Sequence, residues 1–396
     1  MPGLFSIVSD LFWPLAIAAA WIAGEFGHRW SRLPRIGFYV LLGFALTQSP
    51  LGVVPGLLRH NDQMLILADI AFGLILFEMG FRINLRWLFH NPWLTVAAVV
   101  GSGACFGVAY LVATQFGATP VNALLLASLV ISTSPASVIR VINEERSSGQ
   151  VTERILHLTA FNCVLSIFLF NAIVGFSVFH AGDPLNATLN SIANLLASAG
   201  LGALFGVLAP FALFCSGRRS QDATVAFALF VIVLVMLTYT TGLSTLMATL
   251  AFGLVARHRR VAFSQTQRNF GPLGEILTVL LFVFAASTLE WQKVLAGAGL
   301  ALALIAACCF SKVIGVASFS HLSGISWRKG ALTGLALTPV SVFVILLLEH
   351  ARYQSLVFGS QLNALIGITL MLELIGPFMI QRALIWARET QHNEEG

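Results

Sequence analysis

Charged residues are scarce in this chain of 396 residues: Asp, Glu, Lys and Arg together make up 10% of it. Soluble domains carry about a quarter charged residues, so the composition excludes an ordinary soluble protein. Hydrophobic residues make up 57% of the chain, and its mean hydropathy is +0.87. The 34 glycines fit helices that approach each other closely in a bilayer. The sequence therefore predicts an all-α polytopic membrane protein.

Cysteine is also scarce, and its spacing matches no metal site. The five residues are Cys105, Cys163, Cys215, Cys308 and Cys309. An odd number argues against a disulfide framework, and we expect neither a metal nor another cofactor. The first charge of the chain is Asp10, with no basic segment before it. We therefore expect the first apolar segment to be a retained helix rather than a removed signal peptide.

Long polar stretches are missing as well. A membrane helix needs about 20 apolar residues, and cutting the chain at charged residues, Pro and Gly-rich breaks predicts thirteen spans. They cover 8–24, 36–50, 64–80, 93–114, 121–141, 155–179, 190–215, 223–238, 242–257, 270–289, 294–319, 327–350 and 361–387. The loops between them leave no room for a soluble catalytic or nucleotide-binding domain. We expect a protein that is not an enzyme and acts within the bilayer.

Basic residues alternate between successive loops. Arg59, Lys293 and Arg352 lie in one set of loops and Lys312 lies inside a predicted helix, while the other 18 of the 22 Lys and Arg occupy the opposite loops and the tail. Because cytoplasmic loops are enriched in Lys and Arg, this predicts an external N-terminus and a cytoplasmic C-terminus. The basic excess then faces anionic lipid, so nucleic acid is not needed as a partner. The short arms favour a bacterial inner (plasma) membrane.

Two predicted helices share a proline-interrupted motif. Ser134-Pro-Ala-Ser-Val138 and Thr338-Pro-Val-Ser-Val342 both read hydroxyl, Pro, small residue, Ser, Val. They lie seven spans apart, so they are predicted to run in opposite directions. Paired interrupted helices in inverted positions point to a transporter binding site, because broken backbone is tolerated at depth only where it is buried or lines a cavity. The alternative is two unrelated kinks closed by Ser and Thr hydroxyls.

Four polar side chains share one depth in the predicted bilayer. At a rise of about 1.5 Å per residue, Lys312, Cys163 and Glu373 lie roughly 13 Å from the cytoplasmic ends of their helices, and Thr338 roughly 16 Å. This level is near the middle of a hydrocarbon core about 30 Å thick, where an ionisable group is costly and marks a candidate functional site. The alternatives are that Lys312 extends to the inner surface and that Glu373 is a protonated or paired carboxyl in helix packing.

Short strings along the chain resemble those of one family. They are Arg32-Leu-Pro-Arg-Ile-Gly37, Leu76-Phe-Glu-Met-Gly80, Ser132-Thr-Ser-Pro-Ala-Ser-Val138, Gly242-Leu-Ser-Thr, Ala251-Phe-Gly-Leu-Val, Ser311-Lys-Val-Ile-Gly315, Gly334-Leu-Ala-Leu-Thr-Pro339 and Glu373-Leu-Ile-Gly-Pro377. In this order, over nearly the whole chain, they resemble the monovalent cation:proton antiporter superfamily, the sodium/hydrogen exchanger group that includes Kef-type and NapA-type transporters.

The resemblance implies an architecture. The chain would be a single membrane transporter domain with inverted repeats and two crossing, interrupted helices. Core helices at about 64–180 and 270–390 would move like an elevator against dimerisation or scaffold helices at about 8–50 and 190–257. The resemblance also implies a homodimer in the lipid bilayer that exchanges Na⁺, K⁺ or Li⁺ for protons by alternating access.

One feature departs from the family. The resemblance implies a carboxylate on the sixth helix that binds cation and proton in competition, at the second position of a pair that matches Asn162-Cys163. Cys163 replaces that carboxylate, although alkali cations prefer hard oxygen ligands to a soft thiol. Of the family's usual charged core, Lys312 remains.

Three interpretations follow. The favoured one is a cation:proton antiporter that uses hydroxyl, amide and freed carbonyl oxygens, with Lys312 as the titrating group, because desolvation opposes its charged form. The second is an anion or organic-solute carrier on the same fold, similar to bile-acid-type carriers, in which Lys312 attracts the anion. The third is a non-transporting sensor or scaffold. The candidate ion- or substrate-binding residues are Thr133, Ser134, Pro135, Asn162, Cys163, Lys312, Thr338, Pro339 and Ser341, followed by Glu373, Asp69 and Glu78, the last two expected near the membrane interfaces.

Overall fold

The structure is a computed structural model that describes residues 4–31, 33–47, 62–178, 184–215, 223–258, 270–287, 298–353 and 360–390. Within these ranges the secondary structure is helical, with turns and short extended segments between the helices and no β-strand. The prediction of an all-α fold is confirmed.

The described helices follow one another with short connections. The first half of the chain forms α1 (Leu4–Ser31), α2 (Arg35–Thr47), α3 (Asp62–Arg82), α4 (Leu85–His90), α5 (Pro92–Gln115), α6 (Pro120–Val130), α7 (Pro135–Glu144) and α8 (Gln150–Val178). The second half forms α9 (Pro184–Cys215), α10 (Ala223–Thr241), α11 (Thr245–His258), α12 (Gly271–Ser287), α13 (Ala298–Ser318), α14 (Trp327–Ala336), α15 (Phe343–Tyr353) and α16 (Ser360–Trp386).

Several of these helices are built to cross a membrane. In the described ranges, seven segments are long and apolar enough to span a bilayer, and shorter apolar helices cover Arg35–Leu46 and Leu273–Ser287. Large apolar side chains such as Leu196, Phe211 and Leu229 point outward, as expected where lipid replaces water. The chain is an integral membrane protein, while the number of thirteen spans stays a prediction.

Two interrupted helices cross each other at the centre of the fold. The first consists of α6 and α7, with a non-helical break at 131–134. The second consists of α14 and α15, with a break at 337–342. The Ser134 amide donates to the Pro339 carbonyl oxygen at 2.8 Å, and the Ser341 amide donates to Ser132 Oγ at 3.4 Å. Residue numbers rise on one side of this pairing as they fall on the other. The two breaks therefore pass each other in opposite directions, as the paired proline motifs predict.

Helices α5, α8, α13 and α16 pack around this crossing. Helices α5 and α13 approach each other closely, since a Cβ added to Gly315 would lie 2.5 Å from the Gly101 Cα atom. Only glycine allows the two backbones to come so near, which brings polar residues of both helices towards the crossing. The other large packing group joins α3 to α11 and α12, and α9 to α11. The predicted division into moving core and scaffold stays a prediction.

Candidate functional site

Lys312 extends from α13 into the crossing. Its side chain is 2% exposed, and Nζ donates to the main-chain carbonyl oxygens of Ser132 at 3.0 Å and Leu337 at 2.9 Å. Thr133 Oγ1 lies 3.5 Å from the same nitrogen. The two carbonyls follow the C-terminal ends of α6 and α14, where helix dipoles concentrate negative partial charge. The ammonium is thus held at the crossing and does not extend to the membrane surface.

Glu373 extends from α16 to the opposite side of the same breaks. It is fully buried, and its carboxylate accepts hydrogen bonds from Ser134 Oγ at 2.6 Å, Ser137 Oγ at 2.5 Å and the Val342 amide at 3.0 Å. These donors belong to the N-terminal ends of α7 and α15, where helix dipoles are positive. The four half-helix ends are therefore matched by two buried ionisable side chains, one basic and one acidic.

The neighbouring residues Asn162 and Cys163 both contact Thr133. Asn162 Nδ2 donates to Thr133 Oγ1 at 3.0 Å, and Cys163 Sγ donates to the Thr133 carbonyl oxygen at 3.2 Å. The amide oxygen of Asn162 accepts a hydrogen bond from Ser102 Oγ of α5 at 2.8 Å. The thiol thus serves as a donor to the backbone at the position where the family resemblance implies a carboxylate.

The proline motifs contribute mainly through their backbone. Pro135 begins α7, and Pro339 offers the carbonyl that accepts from Ser134. Ser341 donates its amide to Ser132, and its hydroxyl accepts from the Phe343 amide at 3.4 Å. The Thr338 hydroxyl instead donates to Gly334 of the preceding helix α14, at 3.4 Å. Of the four, Thr338 is the one whose side chain bonds away from the crossing.

Asp69 and Glu78 both lie on α3 and are buried, each 7% exposed. Glu78 Oε1 accepts from Arg82 Nη2 at 2.6 Å and from Asn143 Nδ2 at 3.2 Å, so it links the end of α3 to the end of α7. It thus lies in an ion-pair cluster rather than beside Lys312.

A cavity of about 30 Å³ runs between α3, α7 and α12. Along α7 its lining extends from Asn143 to Ala136, the residue beside Ser137, and it also includes Glu78, Arg140 and Thr278. This volume is enough for about one water molecule. The cavity therefore borders the ion-pair cluster of Glu78, and neither Lys312 nor Glu373 lines it.

The sequence carries a signal for some groups of the site and none for others. The hydroxyls of Ser132 and Ser137 lie within the string Ser132-Thr-Ser-Pro-Ala-Ser-Val138, and this string is their signal. Ser102 lies in a run of small residues with no motif. The Leu337 carbonyl and Val342 amide are main-chain groups that every such residue carries. Among the residues that the structure describes, no group of three or more His, Cys, Asp or Glu is placed to hold a metal ion.

A protein family and a curated protein both match most of this chain. The family model described as "Sodium/hydrogen exchanger, transmembrane" matches residues 15–386. A curated relative, the iron transporter MagA of Paramagnetospirillum magneticum, is 22% identical over 363 residues, which cover 88% of this chain and 79% of MagA.

A solved structure shares the fold. The sodium proton antiporter MjNhaP1 from Methanocaldococcus jannaschii, solved at pH 8, superposes with a TM-score of 0.71 at 16% identity. The match covers 97% of this chain and 98% of that protein. At this identity the likeness establishes the fold alone.

Proposed function

The chain belongs to the sodium/hydrogen exchanger family, and from this premise we propose that it is a secondary transporter that exchanges a monovalent cation for protons by alternating access. The observation that carries the proposal is the environment of Lys312. Its ammonium group lies among the Ser132 and Leu337 carbonyl oxygens and the Thr133 hydroxyl, at 2.9–3.5 Å. Uncharged hard oxygens of this kind are the ligands that alkali cations prefer.

Lys312 therefore acts as a built-in cation. When it is protonated, its charge neutralises the C-terminal ends of α6 and α14. When it loses the proton, the same oxygens lack a positive partner, and Na⁺, K⁺ or Li⁺ takes its place. Protonation of the amine returns the ammonium and expels the ion. Cation and proton thus compete for one set of oxygens, which couples their movement.

Charge balance favours one monovalent ion per proton. Glu373 remains bound to the N-terminal ends of α7 and α15 by three hydrogen bonds. With Lys312 charged, or with Lys312 neutral and one alkali cation bound, the sum of charges at the crossing is the same. A divalent ion would leave one positive charge uncompensated, which is costly in a low-dielectric interior.

The anion-carrier alternative depends on an unsatisfied positive charge at Lys312. The ammonium instead faces two carbonyl oxygens, and these repel an anion. The Thr133 hydroxyl and main-chain carbonyl on this side of the crossing are bound by the Asn162 amide nitrogen and the Cys163 thiol, so neither Asn162 nor Cys163 adds a charge there. The local electrostatics therefore support a cation as the substrate.

The wider arrangement is part of the same proposal. The protein works as a homodimer in a bacterial inner membrane, with the N-terminus outside and the C-terminus in the cytoplasm. The helices around the crossing carry the site from one side of the membrane to the other. Support comes from the alternation of basic loops and from the antiparallel crossing of the two breaks.

The test is proton flux in proteoliposomes that carry an imposed pH gradient. Na⁺, K⁺ and Li⁺ are added in turn to vesicles with the wild-type protein, Lys312→Ala or Lys329→Ala. Lys329 is a matched control because it is a partly exposed lysine on α14 that bonds Glu389. We expect one or more cations to collapse the gradient in the wild type and in the control, and none in Lys312→Ala. Failure of every cation to act on the wild type would overturn the proposal.

A further inference from the structure

A chain of three hydrogen bonds joins four segments of the protein beside Lys312. Ser102 Oγ of α5 bonds Asn162 Oδ1 at 2.8 Å, Asn162 Nδ2 bonds Thr133 Oγ1 at 3.0 Å, and Thr133 Oγ1 bonds the Leu337 carbonyl oxygen at 2.9 Å. All four residues are at most 3% exposed. The chain therefore begins on an intact helix and ends on an oxygen that also binds Lys312.

The direction of every bond in this chain follows from its last member. A carbonyl oxygen can only accept, so the single hydroxyl proton of Thr133 is donated to Leu337. Thr133 Oγ1 must then accept from Asn162, which turns the amide nitrogen towards Thr133 and the amide oxygen towards Ser102. Amide orientations are assigned from such networks, and here the network allows one assignment. Ser102 must donate its own proton to complete it.

This direction determines what faces the ion. The remaining lone pair of Thr133 Oγ1 points towards Lys312 Nζ, 3.5 Å away. If the amide of Asn162 turned over, Thr133 would donate to Asn162, and its lone pairs would face the Leu337 carbonyl. The favourable arrangement of acceptors around Lys312 would then be lost.

From these contacts we propose that Ser102 is a positioning residue for cation binding. It fixes the amide of Asn162 so that Asn162 is a donor to Thr133 and not itself an ion ligand. Thr133 then presents an acceptor, together with the Ser132 and Leu337 carbonyls, at the place where the alkali cation replaces the ammonium. The inference rests on the proposed exchange, and it assigns a role to a residue on a helix outside both proline motifs.

The experiment compares three variants in the proteoliposome assay, with the cation that drives exchange in the wild type. Ser102→Ala removes the donor, and Ser102→Thr retains a hydroxyl. Ser128→Ala is the matched control, because Ser128 is also a buried serine but donates only to Leu125 of its own helix, at 2.7 Å. We expect Ser102→Ala to raise the KM for the cation about three- to tenfold, the size expected for the loss of one net hydrogen bond.

The maximal rate separates positioning from a general loss of structure. If the folded protein is intact, the maximal rate of Ser102→Ala stays within about twofold of the wild type. The lost hydrogen bond weakens cation binding but leaves Lys312 in place. Ser102→Thr restores the KM, and Ser128→Ala does not change it. A Ser102→Ala protein with an unchanged KM, or one that loses only maximal rate, overturns the inference.

A second readout does not depend on transport. The Cys163 thiol donates to the Thr133 carbonyl oxygen, so its S–H stretching band in the infrared spectrum reports the geometry of the break. The band is assigned by its loss in Cys163→Ala. We expect Ser102→Ala to shift this band and Ser128→Ala to leave it unchanged. If the wild type exchanges no cation, the proposed function fails while a shifted band still supports the positioning role; an unshifted band overturns it.

Discussion

Lys312 and Glu373 bind opposite ends of the same pair of interrupted helices. The ammonium donates to carbonyl oxygens that follow the C-terminal ends of α6 and α14, and the carboxylate accepts from the N-terminal ends of α7 and α15. Each charge offsets helix dipoles of the opposite sign. Either charge would be costly to bury alone, and the helix ends beside it offset that cost. With Lys312 protonated and Glu373 ionised, the two charges cancel and the crossing has no net charge.

Replacing Glu373 with Gln is expected to reduce the exchange rate about tenfold or more. Glutamine has one acceptor oxygen, while its NH₂ group faces Ser134 or Ser137 and leaves a buried donor without a partner, which costs about 1–3 kcal/mol. Proton flux and thermal unfolding in detergent measure the two effects. Glu153→Gln is the control, since Glu153 is a half-exposed carboxyl on α8. Wild-type flux in Glu373→Gln would show that exchange does not require the carboxylate.

Lys312→Arg is expected to fold and yet to abolish exchange. A guanidinium group can donate to the Ser132 and Leu337 carbonyls, but it stays protonated at any physiological pH. The positive charge then never leaves the oxygens, so no external cation can replace it. Thermal unfolding should remain near that of the wild type, while cation-driven flux falls to the level of empty vesicles. Flux above that level would show that proton release from position 312 is not required.

The sequence predicts the backbone of the site better than its contacts. The Ser-Pro and Thr-Pro strings predict two inverted breaks because proline removes a backbone donor, and the breaks do cross. Depth along a helix singles out Lys312 and Glu373, but not their partners, which are largely main-chain groups that every residue carries. Thr338 has a hydroxyl in the Thr-Pro string, yet this hydroxyl bonds Gly334 of the preceding helix α14. Ser102 belongs to no sequence pattern. Its role depends on a contact with Asn162, which lies sixty residues further along the chain on another helix.

Restoring a carboxylate at position 163 is expected to shift the pH dependence of exchange. Cys163→Asp places a negative charge near Lys312, which favours the ammonium form, so exchange should become half-maximal at a higher pH than in the wild type. Besides Cys163, the titratable groups of the described residues that interact with Lys312 are thiols of α5 and α13, namely Cys105, Cys308 and Cys309. The measurement is flux against pH at a saturating cation concentration.

Cys163→Ser is the matched control for that shift. Its hydroxyl can donate to the Thr133 carbonyl oxygen as the thiol does, and it adds no charge. The pH profile of Cys163→Ser should therefore overlay that of the wild type. A profile of Cys163→Asp that is unchanged or moved to lower pH would contradict the proposed role of Lys312 as the titrating group.

The contact between α5 and α13 offers a test with an internal control. A Cβ at Gly315 would lie 2.5 Å from the Gly101 Cα, whereas a Cβ at Gly101 would lie 3.8 Å from its nearest neighbour, Gly315 Cα. Gly315→Ala must push the helices apart, and overpacking of this kind costs about 1–3 kcal/mol. Gly101→Ala makes an ordinary van der Waals contact. Both substitutions add one methyl group at the same helix crossing.

The two variants should therefore differ in function as well as in stability. Because Lys312 lies one turn before Gly315 on α13, moving this helix away from α5 shifts the ammonium relative to the Ser132 and Leu337 oxygens. We expect Gly315→Ala to unfold at a lower temperature and to lose most cation-driven flux, while Gly101→Ala retains both. Equal behaviour of the two alanine variants would mean that the close approach of α5 and α13 does not set the position of Lys312.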